Sequence, residues 1–398
     1  MKEYDITGFG AVSDVNVVST VSIQKAIDEC ELHGGGTVVV RNGTYVTGTL
    51  YLKSNIELRI EAGAVLLASA DVNDYPELDC GWDISEAPRR TAKCLIYIGN
   101  CENTAITGLG TINCNGKNFC EPNPKAWIDE NDPHVQKRLR RTTNLVPARM
   151  IFAMNSRNIT FKDFTMIEMA GGWGSWINHC EYVNINRIKM YCHPYYPNAD
   201  GIHINCSKDV FVTDCAIHSG DDCIIVRANT NTLHDEDIPC ENVLIKGCSL
   251  SSYCNAVRIG WRNDGAIKNC VFSDLIITNS RDALTIEMPF DAVPSDTGRN
   301  ITRIENISFT NIVIDSTDRY PVHIAACDGN HVDYIKNIKF CGISSKSSRY
   351  PLLQGRKDMH LENISFHACR FMVTDMAEKG FHVRYVKNLR ISADFDAE

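Results

Sequence analysis

Along this 398-residue chain an asparagine, or another polar residue, is followed at once by an apolar or β-branched residue and an alternating run, again and again. No other feature restricts the possible folds as much. The pairs are Asn55-Ile56, Asn103-Thr104, Asn158-Ile159, Tyr182-Val183, Asp209-Val210, Asn242-Val243, Asn269-Cys270, Asn306-Ile307, Asn337-Ile338, Asn363-Ile364 and Asn388-Leu389, with steps of 24 to 37 residues from Asn158 onward. A period of that size marks a solenoid whose coils differ mainly in their loops. Each unit holds strand patterns and Asp/Gly/Asn turns with no helical run between strands. That excludes leucine-rich and ankyrin arrays and leaves an all-β parallel β-helix. Amides recurring at one place in successive coils predict a hydrogen-bonded asparagine ladder.

The first edge of such a stack needs a cover. Ile23, Ala26, Ile27 and Cys30 fall at helical spacing, after Ser19 or Thr20 as N-cap and before Gly34 as the stop, so a short capping helix is expected over residues 20–33. Cap and first coil take residues 1–50 of a single β-helix domain spanning 1–398. Strands then start at Thr37–Val40, after the Asn42-Gly43 turn, and in the strict alternation of Ile56–Ile60. Residues 114–147 break the rhythm with four of the thirteen prolines, Trp127 and the basic run Lys137–Arg141, and no clear strand. A long loop insertion is expected there, of the kind that borders sites on rigid scaffolds.

Forty basic residues against 49 acidic ones give a net charge of -9, which offers no field for nucleic acid. The N-terminus has no apolar signal region and no span is long enough for a bilayer, so a cytoplasmic location and no membrane partner are expected of the chain as given. The eighteen cysteines include no Cys-x-x-Cys, and Cys206, Cys215, Cys223, Cys248 and Cys270 sit at apolar positions, which reads as buried thiols. His193, His203 and His218 lack metal-ligand spacing, so neither metal nor other cofactor is expected. The sequons at Asn158, Asn306 and Asn363 belong to the repeat and are read as ladder residues.

Chemistry concentrates in one stretch. It runs Asn198-Ala199-Asp200-Gly201-Ile202-His203 and then Gly220-Asp221-Asp222-Cys223, with Asp221 twenty-one residues after Asp200. If the residues between make one closed coil, Asp221 and Asp222 return beside Asp200. That would be a catalytic cluster, in which neighbouring carboxylates raise one another's pKa so that one stays protonated as an acid beside another that serves as base.

Together with those two aspartate motifs, Ile23–Asp28, Gly34–Val40, Asn42–Tyr45 and Gly63–Leu67 resemble glycoside hydrolase family 28, the polygalacturonase and rhamnogalacturonase family, from about Tyr4 to at least Glu287. The resemblance implies a right-handed parallel β-helix and inverting hydrolysis, with Asp221 as general acid and Asp200 and Asp222 holding and deprotonating water. The chain departs from the family at two places. Cys254-Asn255-Ala256 stands where the family carries Gly-His-Gly, so Asn255 is left to hydrogen-bond a carboxyl group or a sugar hydroxyl without shuttling a proton, and His203 is the nearest substitute. Thr285-Ile286-Glu287 replaces the Arg-x-Lys that grips a galacturonate carboxylate. A buried glutamate facing a uronate costs several kcal/mol in repulsion and desolvation. A neutral sugar therefore suits Glu287 and Arg258 better, the arginine holding a hydroxyl or Glu287 itself, unless it snorkels to solvent.

The expected protein is an exo-acting, inverting glycosidase that removes a terminal neutral sugar from a plant-derived glycoside or oligosaccharide. Asp200, Asp221 and Asp222 are its catalytic residues; Asn198, Tyr196, His203, Asn255, Arg258, Trp261 and Glu287 contact the substrate. Tyr195, Tyr196 and Trp261 are candidate stacking platforms, and Trp173 is a packing residue. The rival readings are an exo-galacturonosidase, a calcium-dependent lyase using the same aspartates, and a noncatalytic carbohydrate-binding β-helix.

Overall fold

Alternating strands bury their apolar side only if each lies in register on the matching strand of the next coil, and parallel register of that kind runs through this computed structural model. Residues 2–81, 90–123, 139–169, 172–233, 238–289, 300–329, 331–375 and 380–397 are described. They fall into two units, 1–203 with 218–221 and 204–217 with 222–398. The fold is a right-handed parallel β-helix.

In the first unit, Gly36–Val40, Ile56–Ile60, Glu102–Thr107, Arg157–Lys162 and Glu181–Asn186 pair in that order, all parallel. A second face stacks Leu50–Leu52, Cys94–Gly99, Arg149–Met154 and Trp173–Asn178. In the second unit, Cys240–Lys246, Ala266–Ser280, Thr302–Thr317, Val332–Ser347 and Leu361–Val373 form one face. Ile224–Arg227, Asn255–Ile259, Asp282–Met288, Val322–Ala326, Leu352–Gln354 and His382–Arg384 form another. Register places like side chains over like. Phe272, Phe309, Phe340 and Phe366 stack inside the second unit at centroid spacings of 4.8, 5.0 and 4.6 Å.

All eleven repeat positions adopt left-handed backbone, with φ between 53° and 62°. Asparagine tolerates that conformation better than most residues because its short amide bonds locally. In the first unit Asn103 donates to Asn55 at 2.9 Å and Asn158 to Asn103 at 2.7 Å. In the second the ladder starts on the Asp209 carboxylate and continues through Asn242, Asn269, Asn306, Asn337 and Asn363 to Asn388. Tyr182 keeps the left-handed φ of 53° but brings no amide. Asn306→Ala removes two ladder bonds and leaves a Cβ residue at φ 58°, so a loss of about 2 kcal/mol is expected from the urea midpoint. Asn306→Gly relieves the φ and should lose less; equal losses would remove backbone strain from the account.

The helix spans Thr20–Leu32, buries Ile23, Ala26, Ile27 and Cys30, and packs on Gly36–Val40 and Leu50–Leu52. Ser19 occupies the N-cap position without capping by its side chain; its hydroxyl instead accepts from the Val12 N–H at 3.1 Å. After Asn42-Gly43 the chain does not fold back, since Gly43–Thr47 pairs parallel with Ala64–Ala68 as a new face of the coil.

The expectation of no strand in 114–147 is corrected at its described ends. Cys120–Pro122 pairs antiparallel with Leu139–Arg141, and Arg140 meets Glu121 at 2.7 Å. Two strands of three residues each, the first ended by Pro122, are too short to carry an alternation signal. Trp127, Lys137 and Arg138 lie outside the described residues. All eighteen cysteines are free thiols, thirteen of them buried. No helix of the described residues is long and apolar enough to cross a membrane.

Candidate active site

Closure of one coil brings the two aspartate motifs together within the first unit. The N–H groups of Gly220 and Asp221 both donate to the carbonyl of Ala199, at 3.0 and 3.2 Å, so Asp221 is tied to the residue preceding Asp200. The turn into Asp200 is made by Asn198, exposed and at φ 49°. Asp200 and Asp221 are both buried. His203, on the strand Ile202–Asn205, reaches Asp200 Oδ2 through Nε2 at 2.9 Å. Its ring lies flat on Trp173, 3.7 Å between centroids and 10° from parallel. Behind Trp173 sits Arg149, fully buried, with its guanidinium 5.0 Å from the Trp173 ring and 4.5 Å from Trp176. A histidine clamped on one face has little rotational freedom. It fixes the orientation of the Asp200 carboxylate.

In the second unit Asp222, buried just before the strand Ile224–Arg227, is held by its neighbours in the next coil. Asp222 Oδ1 accepts from Asn255 Nδ2 at 2.6 Å and from the Asn255 N–H at 3.0 Å. The Asn255 side-chain amide oxygen Oδ1 in turn accepts from Thr285 Oγ1 at 2.8 Å. Arg258 stands 3.8 Å from Asp222 Oδ2, donates to Glu287 at 2.8 Å, and lies 4.0 Å over the Trp261 ring. Burial pushes the Asp222 carboxyl up, but the Arg258 guanidinium and the Asn255 hydrogen bonds outweigh it and hold the group below the usual aspartate range. Asp222 is therefore an anion at neutral pH, the state a base needs.

Several substrate-contact expectations change on these contacts. Asn255 is buried with both ends of its amide engaged, which makes it an anchor for Asp222 instead of a sugar contact. Tyr196 is buried and its hydroxyl donates to Glu168 at 2.7 Å, so its ring belongs to the wall. Arg258 does not snorkel; it pairs with Glu287 beneath Trp261. The turn bearing Trp261 is fixed by fully buried Asp264, which accepts the Trp261 N–H at 2.9 Å and both Arg227 donors at 2.6 and 2.8 Å.

Sequence reasoning missed three members. Thr285, noted only as a lost cation, orients Asn255. Arg149 backs the ring that clamps His203. His323 lies in register beside Thr285, and burial, opposed by Glu287 and Asp282, keeps its imidazole below the ordinary histidine range and hence neutral. The polar outward position in Val322-His323-Ile324 was the available signal for it.

Buried aspartates stand at the starts of β-helix strands, Asp200 held by His203 and Asp222 by Asn255 and Arg258, and carboxylates so placed are the groups a glycoside hydrolase uses. The family is then direct to state: the model for glycosyl hydrolases family 28 matches residues 84–350, and the chain belongs to that family and is a glycosidase. A probable polygalacturonase of Vitis vinifera is 25% identical over 380 residues, 91% of this chain and 69% of that protein. An exopolygalacturonase of Platanus acerifolia is 23% identical over 362 residues, 83% of this chain and 85% of the other. Among solved structures, a hyperthermoactive exopolygalacturonase from Thermotoga maritima has the same fold, with a TM-score of 0.78 at 19% identity, covering 99% of this chain and 92% of that one.

Proposed function

We propose that this glycosidase is inverting and exo-acting and removes a terminal neutral sugar from a plant-derived, pectic oligosaccharide or glycoside. Asp221 protonates the leaving oxygen, and Asp200 and Asp222 hold and deprotonate the attacking water. The depressed Asp222 carboxyl supports its part as base. Relatives named exopolygalacturonase support action from a chain end.

One observation carries the neutral-sugar reading. Where the family resemblance places a cation pair for a uronate carboxylate, the second unit holds Glu287 bonded to Arg258 at 2.8 Å. The guanidinium is spent on a fixed anion, and an incoming carboxylate meets Glu287 as a like charge. Sugar hydroxyls find both a carboxylate acceptor and a guanidinium donor. The names of the relatives favour a second reading, an exopolygalacturonase, and one experiment separates the two. Reducing-sugar release is measured on a panel of neutral aryl glycosides and disaccharides beside polygalacturonate. Turnover of a neutral glycoside with little on polygalacturonate is the expected result. Turnover of polygalacturonate alone would establish the second reading.

A further inference from the structure

In the second unit, Tyr253 and Cys254 join the strands Ser249–Ser252 and Asn255–Ile259. Cys254 stands where the family resemblance places a glycine, so this corner carries a side chain that the family motif lacks. Its backbone is fixed on both sides: the Cys254 N–H donates to Ser252 Oγ at 2.8 Å, and its carbonyl accepts the Asp282 N–H at 2.9 Å. Rotation about the Cα–Cβ bond is what remains to the thiol, and the residue is 8% exposed.

Cys254 Sγ lies within 4.8 Å of an Asp222 carboxylate oxygen and is hydrogen-bonded to that carboxylate. It also accepts from Asn255 Nδ2 at 3.3 Å, the same group that donates to Asp222 Oδ1 at 2.6 Å. Thiol, amide and carboxylate therefore close a ring, the amide giving an N–H and the thiol its S–H. An ordinary thiol keeps its proton at neutral pH and is a weak donor, but an anionic acceptor away from water strengthens the bond. The cation facing Asp222 is Arg258, at 3.8 Å, with Glu287 bonded to its far side. Asp282, in register with Asn255, is met by Arg281 and Arg319 at 3.4 and 3.5 Å. Asp221 precedes Asp222 in the chain, and Asp200 and His203 belong to the coil before.

We propose that Cys254 is a positioning residue for the hydrolysis: its S–H, beside the Asn255 amide, fixes the Asp222 carboxylate in the attitude in which it draws a proton from water. The inference rests on the part given to Asp222 under Proposed function. Cys254 also belongs to the groups that hold the Asp222 carboxyl low against burial, after Arg258 and Asn255. With the S–H gone, burial counts for more and the carboxyl takes up its proton at a higher pH. C254A and C254S are compared with wild type by NMR titration of isotope-labelled carboxyl groups, with D222N to assign the Asp222 signal, and by the pH profile of kcat/KM. Melting curves check that each variant is folded, and C254G, which returns the family residue, replaces C254A if that variant is not. In C254A the Asp222 midpoint and the acid limb should both move to higher pH, with kcat/KM on the limb lower by about threefold or more, as loss of one hydrogen bond to a charged group requires. C254S restores a donor and should bring both back. An Asp222 midpoint unchanged in folded C254A, or no recovery in C254S, would overturn the inference. A midpoint that moves while the limb stays would leave the thiol holding Asp222 and remove Asp222 as the base.

Discussion

Asp221→Asn should lower kcat on an alkyl or sugar-linked substrate by about 10²–10⁴-fold, the usual contribution of a general acid. The amide has nearly the shape of the carboxyl, and the backbone bonds of Gly220 and Asp221 to Ala199 do not involve the side chain, so folding should be retained. The loss should depend on the leaving group. An alkoxide cannot depart without a proton, whereas a dinitrophenolate can, so the deficit should shrink steeply on an activated aryl glycoside. A fall of the same size on every leaving group would assign Asp221 some other task. The matching Asp200→Asn and Asp222→Asn variants lose the water-activating side and should be rescued by neither leaving group.

Arg258→Gln should move the acid limb of kcat/KM to higher pH. The limb reports the ionisation of the base in the free enzyme. In the wild type Asp222 lies below its ordinary value because Arg258 and Asn255 outweigh burial, so activity should persist as the medium becomes acidic. Without the guanidinium the burial contribution remains, and the carboxyl rises from its depressed position. Stability shifts in the same direction. A carboxyl depressed in the folded state stabilises it above the unfolded pKa, and that contribution is lost as pH falls through the folded value. The variant should therefore unfold in acid at a higher pH. Glu287→Gln is the control, since it leaves Arg258 in place and should not raise the limb. If the limb of Arg258→Gln coincides with wild type, Asp222 does not set it.

The coil period was legible because its cause is local. Asn55, Asn103, Asn158 and the later repeat asparagines adopt positive φ at coil corners, and only a short list of side chains tolerates that backbone. The alternation of Ile56–Ile60 likewise announced its own strand. The helix face of Ile23, Ala26, Ile27 and Cys30 was legible for the same reason, while the failure of Ser19 to cap was not, because its hydroxyl is taken by Val12, seven residues back. The strands at Cys120–Pro122 and Leu139–Arg141 escaped notice because their partner lies across a span of unrelated composition.

At the site the sequence supplied residue types, and packing supplied their tasks. Asp200, Asp221 and Asp222 were marked by motif and spacing, and so was the exchange of Arg-x-Lys for Thr285-Ile286-Glu287. Register decided the rest. A parallel coil brings together residues some 24 to 37 positions apart, and the choice of partner depends on each loop's length. Thus Asn255 became the anchor of Asp222 and turned its other end to Thr285; His203 was pressed between Asp200 and Trp173; Tyr196 was drawn inward to Glu168. By itself the sequence determined the coil, its corners and the acidic motifs, because these follow from backbone sterics and strand periodicity within a few residues. Only the tertiary structure decided which carboxylate is held ionised and which cation is spent on Glu287, because both are set by burial and by contacts between coils that no local pattern records.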